Sequence, residues 1–336
     1  MNIRNLRHWV DRLAGKRILV VGDVILDEYL VGRASRLSRE APIPVLEFME
    51  RRLIPGGAAN PAANIAALKS QAIQVGVVGQ DAQAEELIRL LAERGIDSSG
   101  LVADSSRSTI VKTRILAHQG LSFPQQVARL DRIDRLPINN SVAARILARL
   151  DAQGPLDAIL VSDYLTGLLT GRVVARLREM SKAKNILLTV DAQGELDKYA
   201  GFDVVKCNRG EAANALHRDL RTDEDMATAG EALLQRLKPG RAILITRGAD
   251  GITLAEANGP ITHLRQLAGA QAEVFDTVGA GDTVIAVLTL ALAAGAPAPE
   301  AAMLANVAAG LVVRRVGNYA PPPDELRWAL EAWAED

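Results

Sequence analysis

Near the start of the chain stands the run Arg17-Ile-Leu-Val-Val-Gly22, in which every residue between the two ends is apolar. A strand that buries both faces has this composition, whereas a strand with one face in water alternates apolar and polar residues. Further runs of the same kind follow at residues 75–79, 158–162, 186–190, 204–206 and 242–246. Together these runs predict a sheet that is covered on both faces.

Amphipathic stretches separate the apolar runs. In residues 84–94, for example, Leu87, Leu90 and Leu91 fall on one helical stripe. Comparable helical patterns occupy residues 59–68, 141–150, 172–180, 223–237, 281–294, 299–314 and 323–333. A chain that alternates buried strands with helices predicts an α/β protein, here a three-layer αβα sandwich with a mostly parallel sheet and right-handed crossovers.

Two segments interrupt this alternation, because they contain strand-like pieces and polar turns but no helical pattern. We predict that residues 30–51 and 108–132 form a small antiparallel β lid. Residues 1–29, 52–107 and 133–336 would then form the main domain.

Composition excludes several classes of partner. The formal net charge is −1, aromatic residues are 3% of the chain, and there is one cysteine, so a nucleic-acid-binding surface, a disulfide framework and a multi-cysteine zinc site are disfavoured. The amino terminus lacks an apolar signal segment, and the longest uncharged run, 283–299, is too short to span a membrane. We therefore expect a cytoplasmic protein that binds neither nucleic acid nor a membrane.

The most informative motif is Asp276-Thr-Val-Gly-Ala-Gly-Asp282, which directly precedes a long apolar helix. Glycines allow a close approach to the backbone, and a helix amino terminus presents unpaired N–H groups and a positive dipole end. Asp282 in the first turn is compatible with a helix cap or with a general base beside an anion-binding site. The spacing alone leaves both interpretations open.

Two groups near the amino terminus are candidates for binding a polyol. Asp23 and Asp27 follow the first strand, at the edge where α/β sheets bind ligands. Gly56, Gly57 and Asn60 precede and begin a helix rich in alanine. The alternatives are a turn-stabilising Asp23 with a solvated Asp27, and an ordinary entry from a loop into a helix.

Two groups in the second half of the chain are candidates for binding phosphates. Asn208 and Glu211, three residues apart, could orient a hydrated Mg²⁺, or they could form a helix capping box. The segment that contains Thr246, Gly248 and Gly251 could form one wall of a nucleotide site or a hairpin turn.

Basic residues are concentrated in the two lid segments: Arg33, Arg36, Arg39, Lys112, Arg114 and Arg129. Such residues would suit a phosphorylated substrate, although a solvated strand face also carries some of them.

In combination, these motifs resemble the PfkB/ribokinase family of carbohydrate kinases over residues 17–322. The resemblance rests on the Gly56-Gly57 element, on Asn208-x-x-Glu211 and, most specifically, on the 276–282 motif. It implies a ribokinase-like fold and transfer of the γ-phosphoryl group of ATP to a sugar hydroxyl. It also implies that Asp282 is the general base and that the N–H groups of Gly279, Ala280 and Gly281 form the anion hole.

The resemblance assigns the remaining roles as well. Asp23, Asp27, Gly56, Gly57 and Asn60 would hold the sugar, and Arg36, Lys112, Arg114 and Arg129 would meet its phosphate. The ATP site would comprise Thr246, Gly248, Gly251 and Asn306, with Asn208 and Glu211 orienting Mg²⁺ through water. A monovalent cation such as K⁺ would bind at Asp276 and the loop around Gly317.

Within the family, residues 20–29 and 35–45 are most similar to kinases of D-glycero-β-D-manno-heptose 7-phosphate, which phosphorylate C1 to give the 1,7-bisphosphate. Those kinases usually read Asp-Pro-Lys-Gly where this chain reads Asp191-Ala-Gln-Gly194, so Gln193 replaces a lysine. The alternatives are another sugar, a ketodeoxy sugar acid or a nucleoside as substrate, and a binding protein without catalysis.

Two expectations concern assembly. Four apolar lid residues that we expect to be exposed, Leu30, Val31, Val45 and Leu46, predict a homodimer formed through the lid. The length leaves no room for a second catalytic domain after the kinase, so a different protein would perform any following nucleotidyl transfer.

Overall fold

The computed structural model describes residues 2–118, 124–265 and 276–334, so residues 119–123 of the predicted lid lie outside the described residues. The strands, in chain order, are β1 (Arg17–Gly22), β2 (Val24–Leu37), β3 (Pro44–Gly57), β4 (Gln71–Val78), β5 (Asp97–Ala103), β6 (Ile110–His118), β7 (Gln125–Arg132), β8 (Ala158–Asp163), β9 (Leu187–Ala192), β10 (Val204–Asn208), β11 (Ala242–Thr246), β12 (Ile252–Glu256) and β13 (Ile261–Leu264). The α-helices are α1 (Ile3–Arg12), α2 (Ala59–Ala67), α3 (Ala82–Glu93), α4 (Asn140–Asp151), α5 (Gly171–Lys184), α6 (Arg209–Leu216), α7 (Asp223–Leu237), α8 (Ala280–Ala293), α9 (Ala298–Val312) and α10 (Pro323–Ala334).

The main sheet has the strand order β13-β12-β11-β10-β9-β8-β1-β4-β5. The strands from β11 to β5 in this order run parallel, and β12 and β13 are antiparallel additions at one edge. A helical crossover therefore returns the chain to the same end of the sheet each time, and the carboxyl ends of the parallel strands meet along one edge.

Both faces of the main sheet are covered, as the continuous apolar runs predict. In β1, Ile18 and Val20 contribute to a core with α1, α2, α3, α8, α9 and α10, whereas Leu19 and Val21 contribute to a second core with α4, α5, α6 and α7. Alternate side chains of one strand thus enter two different cores. The predicted three-layer α/β sandwich is confirmed.

The lid is a four-stranded sheet in the order β3-β2-β6-β7. The pairs β2–β3 and β6–β7 are antiparallel, as predicted, and the central pair β2–β6 is parallel. Each of the two lid segments supplies its own antiparallel pair of strands. The central pair is parallel because β2 and β6, the first strand of each segment, leave the main domain in the same direction. Tyr29, Val31 and Leu116 form a small core with Ile54 inside the lid.

Within the described ranges, none of the helices combines the length and the apolar character needed to cross a membrane.

Candidate active site

A cavity of about 1210 Å³ lies at the carboxyl edge of the parallel strands. It extends from the first turn of α8 along the ends of β9, β10 and β11 towards α9. Its walls include Tyr164, Asp191, Gln193, Lys206, Asn208, Glu211, Thr246, Gly248, Gly251, Gly279, Ala280, Gly281, Asp282 and Asn306. The sheet thus brings together motifs that are far apart in the chain.

Asp282 lies at the inner end of this cavity and is 6% exposed. Its carboxylate does not cap α8, since no side-chain cap bond is made at the start of that helix. Instead, Oδ2 accepts a hydrogen bond from Asn60 Nδ2 at 2.8 Å, and Oδ1 accepts one from the Tyr164 hydroxyl at 2.9 Å. The carboxylate is therefore held at two points, and each oxygen retains a second acceptor position for a substrate hydroxyl.

Burial raises the pKa of Asp282 to about 7, with a further upward contribution from the charge of Asp191. The hydrogen bonds from Asn60 and Tyr164 and the charge of Lys206 act in the opposite direction. A general base works best when its pKa lies near the working pH, because it is then both ionised and a good proton acceptor. The geometry and the pKa thus favour the base over the cap.

This arrangement predicts how activity depends on pH. A general base acts in its ionised form, so with Asp282 in that role we expect kcat/KM to fall as the pH drops through about 7. Tyr164→Phe removes a donor to the ionised carboxylate and keeps the ring, so the acid limb should move to higher pH by about one unit, the scale of a hydrogen bond to a charged group.

The matched control for this pH prediction is Tyr319→Phe, because the Tyr319 hydroxyl donates to Glu325 at 2.6 Å and has no contact with Asp282. Profiles of kcat/KM against pH for the two variants and the unchanged protein measure the effect. Equal acid limbs in all three would contradict the assigned role of Tyr164.

The predicted anion hole is the turn that leads into α8. Gly279 has φ +82°, a left-handed conformation, and a Cβ there would stand 2.6 Å from Asn60 Nδ2 and 2.8 Å from Asn318 Oδ1. Ala280 N–H makes a long bond of 3.4 Å to Thr277 O. The first N–H groups of a helix lack intrahelical acceptors, so this turn presents a positive dipole end to the cavity beside Asp282.

Asp27 is not solvated, as one interpretation of the sequence had it, but is 3% exposed. It accepts a hydrogen bond from Arg114 at 2.5 Å and another from Asn318 Nδ2 at 2.8 Å. Gly56 on β3 packs against the same carboxylate, since a Cβ there would stand 2.1 Å from Asp27 Oδ2. Asp27 and Arg114, both predicted substrate residues, therefore form a buried ion pair.

Asp23 stabilises a turn, which is the structural alternative for this residue. Its Oδ2 accepts hydrogen bonds from Tyr164 N at 2.9 Å and Thr166 N at 3.2 Å. Burial raises the pKa of Asp23, and Thr166 opposes that effect. Asp23 thus fixes the loop that carries Tyr164 to Asp282, and Gly57, at the end of β3, lies close to Asp23 O.

Asn208 and Glu211 form a capping box at the start of α6. Asn208 Oδ1 accepts from Glu211 N at 2.9 Å, and Glu211 Oε2 accepts from Asn208 N at 2.6 Å. The box holds the half-buried Glu211 carboxylate at the cavity wall, and burial raises its pKa. One carboxylate supplemented by water and phosphate oxygens is a common ligand set for Mg²⁺, so these residues fit the predicted divalent ion.

The other predicted ATP residues line the same cavity. Thr246 ends β11, and Gly248 and Gly251 form the turn into the antiparallel strand β12, so the hairpin interpretation is correct and the turn is also a wall of the cavity. Asn306 on α9 donates to Arg265 O at 2.9 Å, which fixes the opposite wall.

The two residues predicted to bind a monovalent cation lie together. Asp276 Oδ2 accepts from Gly317 N at 2.9 Å, and Oδ1 accepts from Val278 N at 2.9 Å. This pair adjoins the turn that contains Gly279 and supplies oxygen atoms of the kind that K⁺ prefers.

The predicted lid cations divide into two groups. Lys112 and Arg114 on β6 lie over the site: the Lys112 ammonium stands 4.9 Å from the centre of the Tyr164 ring, and Arg114 binds Asp27. Arg36 and Arg129 are exposed, and Arg129 pairs with Asp131 at 2.9 Å. The structure brings only the first group next to the residues that surround Asp282.

The sequence analysis assigned no chemical role to four residues of the site: Tyr164, Asp191, Lys206 and Asn318. Tyr164 and Asn318 bind the two carboxylates Asp282 and Asp27, and Lys206 donates to Asp191 at 2.6 Å. Asp191 and Lys206 could have been recognised as site residues from their position, because both lie at the carboxyl ends of predicted strands.

Comparisons with known proteins identify the family of the chain. The profile described as pfkB family carbohydrate kinase matches residues 16–325. Bifunctional protein HldE of Paramagnetospirillum magneticum is 40% identical over 323 residues, which are 96% of this chain and 64% of that protein. Bifunctional protein HldE of Geobacter sulfurreducens is 41% identical over 314 residues, which are 93% of this chain and 62% of that protein. The chain thus spans less than two thirds of the length of these curated relatives.

Solved structures show the same fold. Phosphofructokinase-2 from Escherichia coli in complex with potassium aligns with a TM-score of 0.76 at 19% identity, over 95% of this chain and 99% of that one. Arabidopsis thaliana ribokinase complexed with ribose and ATP aligns with a TM-score of 0.71 at 18% identity, over 94% and 99%. On the profile match and the curated relatives, this chain belongs to the pfkB family of carbohydrate kinases and is a sugar kinase with a ribokinase-like fold.

Proposed function

We propose that this sugar kinase transfers the γ-phosphoryl group of ATP to the C1 hydroxyl of D-glycero-β-D-manno-heptose 7-phosphate. The observation that carries the proposal is the half-buried Lys112 on the lid. It stands over the Tyr164 ring. Burial lowers the pKa of Lys112 below its ordinary value, and the charges of Asp27 and Asp131 oppose that effect. A cation held beside the hydroxyl-binding carboxylates suits a sugar that already carries a phosphate. The resemblance of residues 20–29 and 35–45 to heptose kinases supports the same substrate.

The residues of the chain account for the transfer. Asp282 accepts the proton of the C1 hydroxyl while that oxygen forms its bond to the γ-phosphorus and the bond from this phosphorus to the ADP oxygen breaks. Asn60 and Tyr164 keep the carboxylate aimed at the hydroxyl. The amino-terminal turn of α8 faces the equatorial oxygens of the transferring group, where a largely dissociative transition state spreads its charge.

Two ions complete the proposal. Asn208 and Glu211 would orient Mg²⁺, which neutralises the charge of the ATP phosphates when it is bound. Asp276 and the backbone near Gly317 would hold K⁺ beside the turn of the anion hole. Thr246, Gly248, Gly251 and Asn306 would line the nucleotide.

The test is ADP release with a panel of acceptors: heptose 7-phosphate, unphosphorylated heptose, fructose 6-phosphate, a ketodeoxy sugar acid and a nucleoside. We expect heptose 7-phosphate to give the highest kcat/KM. Lys112→Met should raise KM for this substrate at least tenfold and leave KM for ATP within threefold, since Lys112 faces the sugar side of the site.

Arg36→Ala is the matched control on the same lid. Arg36 is exposed, so its loss should raise KM for the sugar phosphate less than the loss of Lys112 does. If Lys112→Met changes KM equally for phosphorylated and unphosphorylated sugars, Lys112 does not contact the phosphate. A higher kcat/KM with the ketodeoxy acid or the nucleoside would contradict the heptose assignment. Gln193 on the cavity wall, which replaces the lysine of the heptose kinases, would be consistent with such a different substrate.

We also propose that the lid joins two copies of the chain. The residues expected to be exposed are not: Val31 is buried in the small core of the lid, and Leu30, Val45 and Leu46 are partly buried. Other apolar side chains of the lid strands are exposed instead: Leu37, Phe48, Met49, Val127 and Leu130. Sedimentation velocity should show a dimer that Phe48→Glu dissociates. The control Trp328→Glu, at an exposed position on α10, should leave the dimer intact. A monomeric unchanged protein would contradict this proposal.

A further inference from the structure

Lys206 is a buried cation to which neither the sequence motifs nor the steps above give a role. It lies on β10 directly opposite Asp191 on the parallel strand β9, and it is 4% exposed. Its ammonium donates to Asp191 Oδ2 at 2.6 Å. Both side chains line the cavity that contains Asp282.

The ammonium of Lys206 packs directly against the anion hole. A Cβ on Gly281 would stand 2.9 Å from Lys206 Nζ and 3.8 Å from Asp191 Oδ2. Gly281 belongs to the first turn of α8, whose N–H groups face the cavity. The absence of a side chain at Gly281 therefore lets a positive charge approach this turn.

Lys206 is charged at neutral pH. Burial opposes the charge, but the charge of Asp191 and the hydrogen bond to it outweigh burial, so the pKa of Lys206 lies above its ordinary value. An ammonium has three N–H groups, so it can bind Asp191 and still donate into the cavity. A buried ion pair is a poor source of stability, because the cost of desolvation offsets the attraction. Stability alone thus gives little reason for this pair to lie here.

The other cations on the cavity wall, Arg209 and Arg247, pair with exposed carboxylates. Arg209 pairs with Asp250, and Arg247 donates to Asp223 at 2.5 Å. Both acidic partners are at least 45% exposed, whereas Asp191 is 9% exposed as a side chain. Lys206 is thus the cavity cation with a buried partner and a contact with the turn before Asp282.

We propose that Lys206 is a catalytic residue whose ammonium binds an oxygen of the transferring phosphoryl group, while Asp191 fixes the position of that ammonium. Lys206 then acts together with the N–H groups of α8, and the charge that develops on the phosphoryl oxygens is met from two directions. The proposal rests on the sugar-kinase activity and not on the identity of the sugar.

The test compares Lys206→Met with the double variant Asp191→Asn/Lys206→Met. The single variant leaves the Asp191 carboxylate buried without its cation, so we expect that variant to fold poorly. The double variant is the control, because it removes both charges together. Thermal unfolding establishes that the double variant is folded. The acceptor used is the one that the unchanged protein phosphorylates best in the panel, so a failure of the heptose proposal leaves this test intact.

Two dissociation constants distinguish a catalytic role of Lys206 from a structural one. They are the dissociation constant of ADP and that of ADP with aluminium fluoride, which mimics the transferring phosphoryl group. Both are measured by calorimetry in the presence of Mg²⁺. In the double variant we expect kcat to fall by about 10²–10³, the scale seen when one preorganised donor is lost. The affinity for ADP with aluminium fluoride should fall by a similar factor, and the affinity for ADP should stay within threefold. The proposal is wrong if kcat stays within threefold, or if ADP affinity falls as much as kcat.

Discussion

Replacement of Asp282, the proposed base, should have the largest effect on activity. We expect Asp282→Asn to lower kcat by about 10²–10⁴, the usual scale for loss of a general base. The amide cannot accept the proton of the sugar hydroxyl, although its size and its neighbours Asn60 and Tyr164 are retained. ADP release at saturating ATP and sugar measures this effect. Asp324→Asn, which changes an exposed carboxylate paired with Arg327 on α10, is the control and should keep normal turnover.

The same substitution should stabilise the protein, which separates loss of the base from loss of folding. Asp282 has its pKa raised from 3.8 to about 7, so the folded state binds the proton more tightly than the unfolded state does. Stability is therefore lost as the pH rises from about 4 to 7, by as much as roughly 4 kcal/mol. At pH 8 Asp282→Asn should unfold at a higher temperature than the unchanged protein, and the difference should vanish near pH 4. Near-normal turnover in this variant would contradict the assignment of the base.

The second large effect concerns the ion pair beneath the lid. Arg114→Met leaves the carboxylate of Asp27 buried beside Gly56 and Asn318 without its cation. Removal of one partner from a buried pair costs about 3–5 kcal/mol, because the remaining charge is uncompensated. We expect a decrease of that size in the free energy of unfolding, measured with urea, together with a higher KM for the sugar.

The double variant Asp27→Asn/Arg114→Met is the control for this prediction. It removes both charges, so most of the lost stability should return, while sugar binding should remain weak because Asp27 is a proposed hydroxyl acceptor. A double variant as unstable as Arg114→Met would show that the cost lies in lost packing and not in the unpaired charge.

The fold was largely predictable because each central strand is apolar throughout. The predicted bounds of β1, β11 and α7 agree with the structure. The helix α1 and the edge strand β5 were missed for a common reason. Of the residues in α1, only Leu6 and Val10 are buried, and β5 contains Asp97 and a series of small polar residues at the edge of the sheet. Short elements that bury one narrow face leave a weak pattern in the sequence.

The site was predictable where its residues belong to a local motif. Asp282 and Asn60 were assigned from short sequence patterns, and the structure joins them by a hydrogen bond. The partners that arrive from elsewhere were not predictable, since Tyr164 is 118 residues from Asp282 and Asn318 is 291 residues from Asp27. These contacts depend on which strands are neighbours and in what register, and a local pattern does not contain that information.

We propose that this kinase phosphorylates the C1 hydroxyl of a heptose that already carries a phosphate. The most direct measurement is ³¹P NMR of the purified protein with ATP, Mg²⁺ and D-glycero-β-D-manno-heptose 7-phosphate. We expect a new phosphate resonance coupled to the anomeric proton, which grows in step with ADP while the 7-phosphate resonance persists. No new sugar phosphate from this substrate, together with phosphorylation of another acceptor under the same conditions, would contradict it.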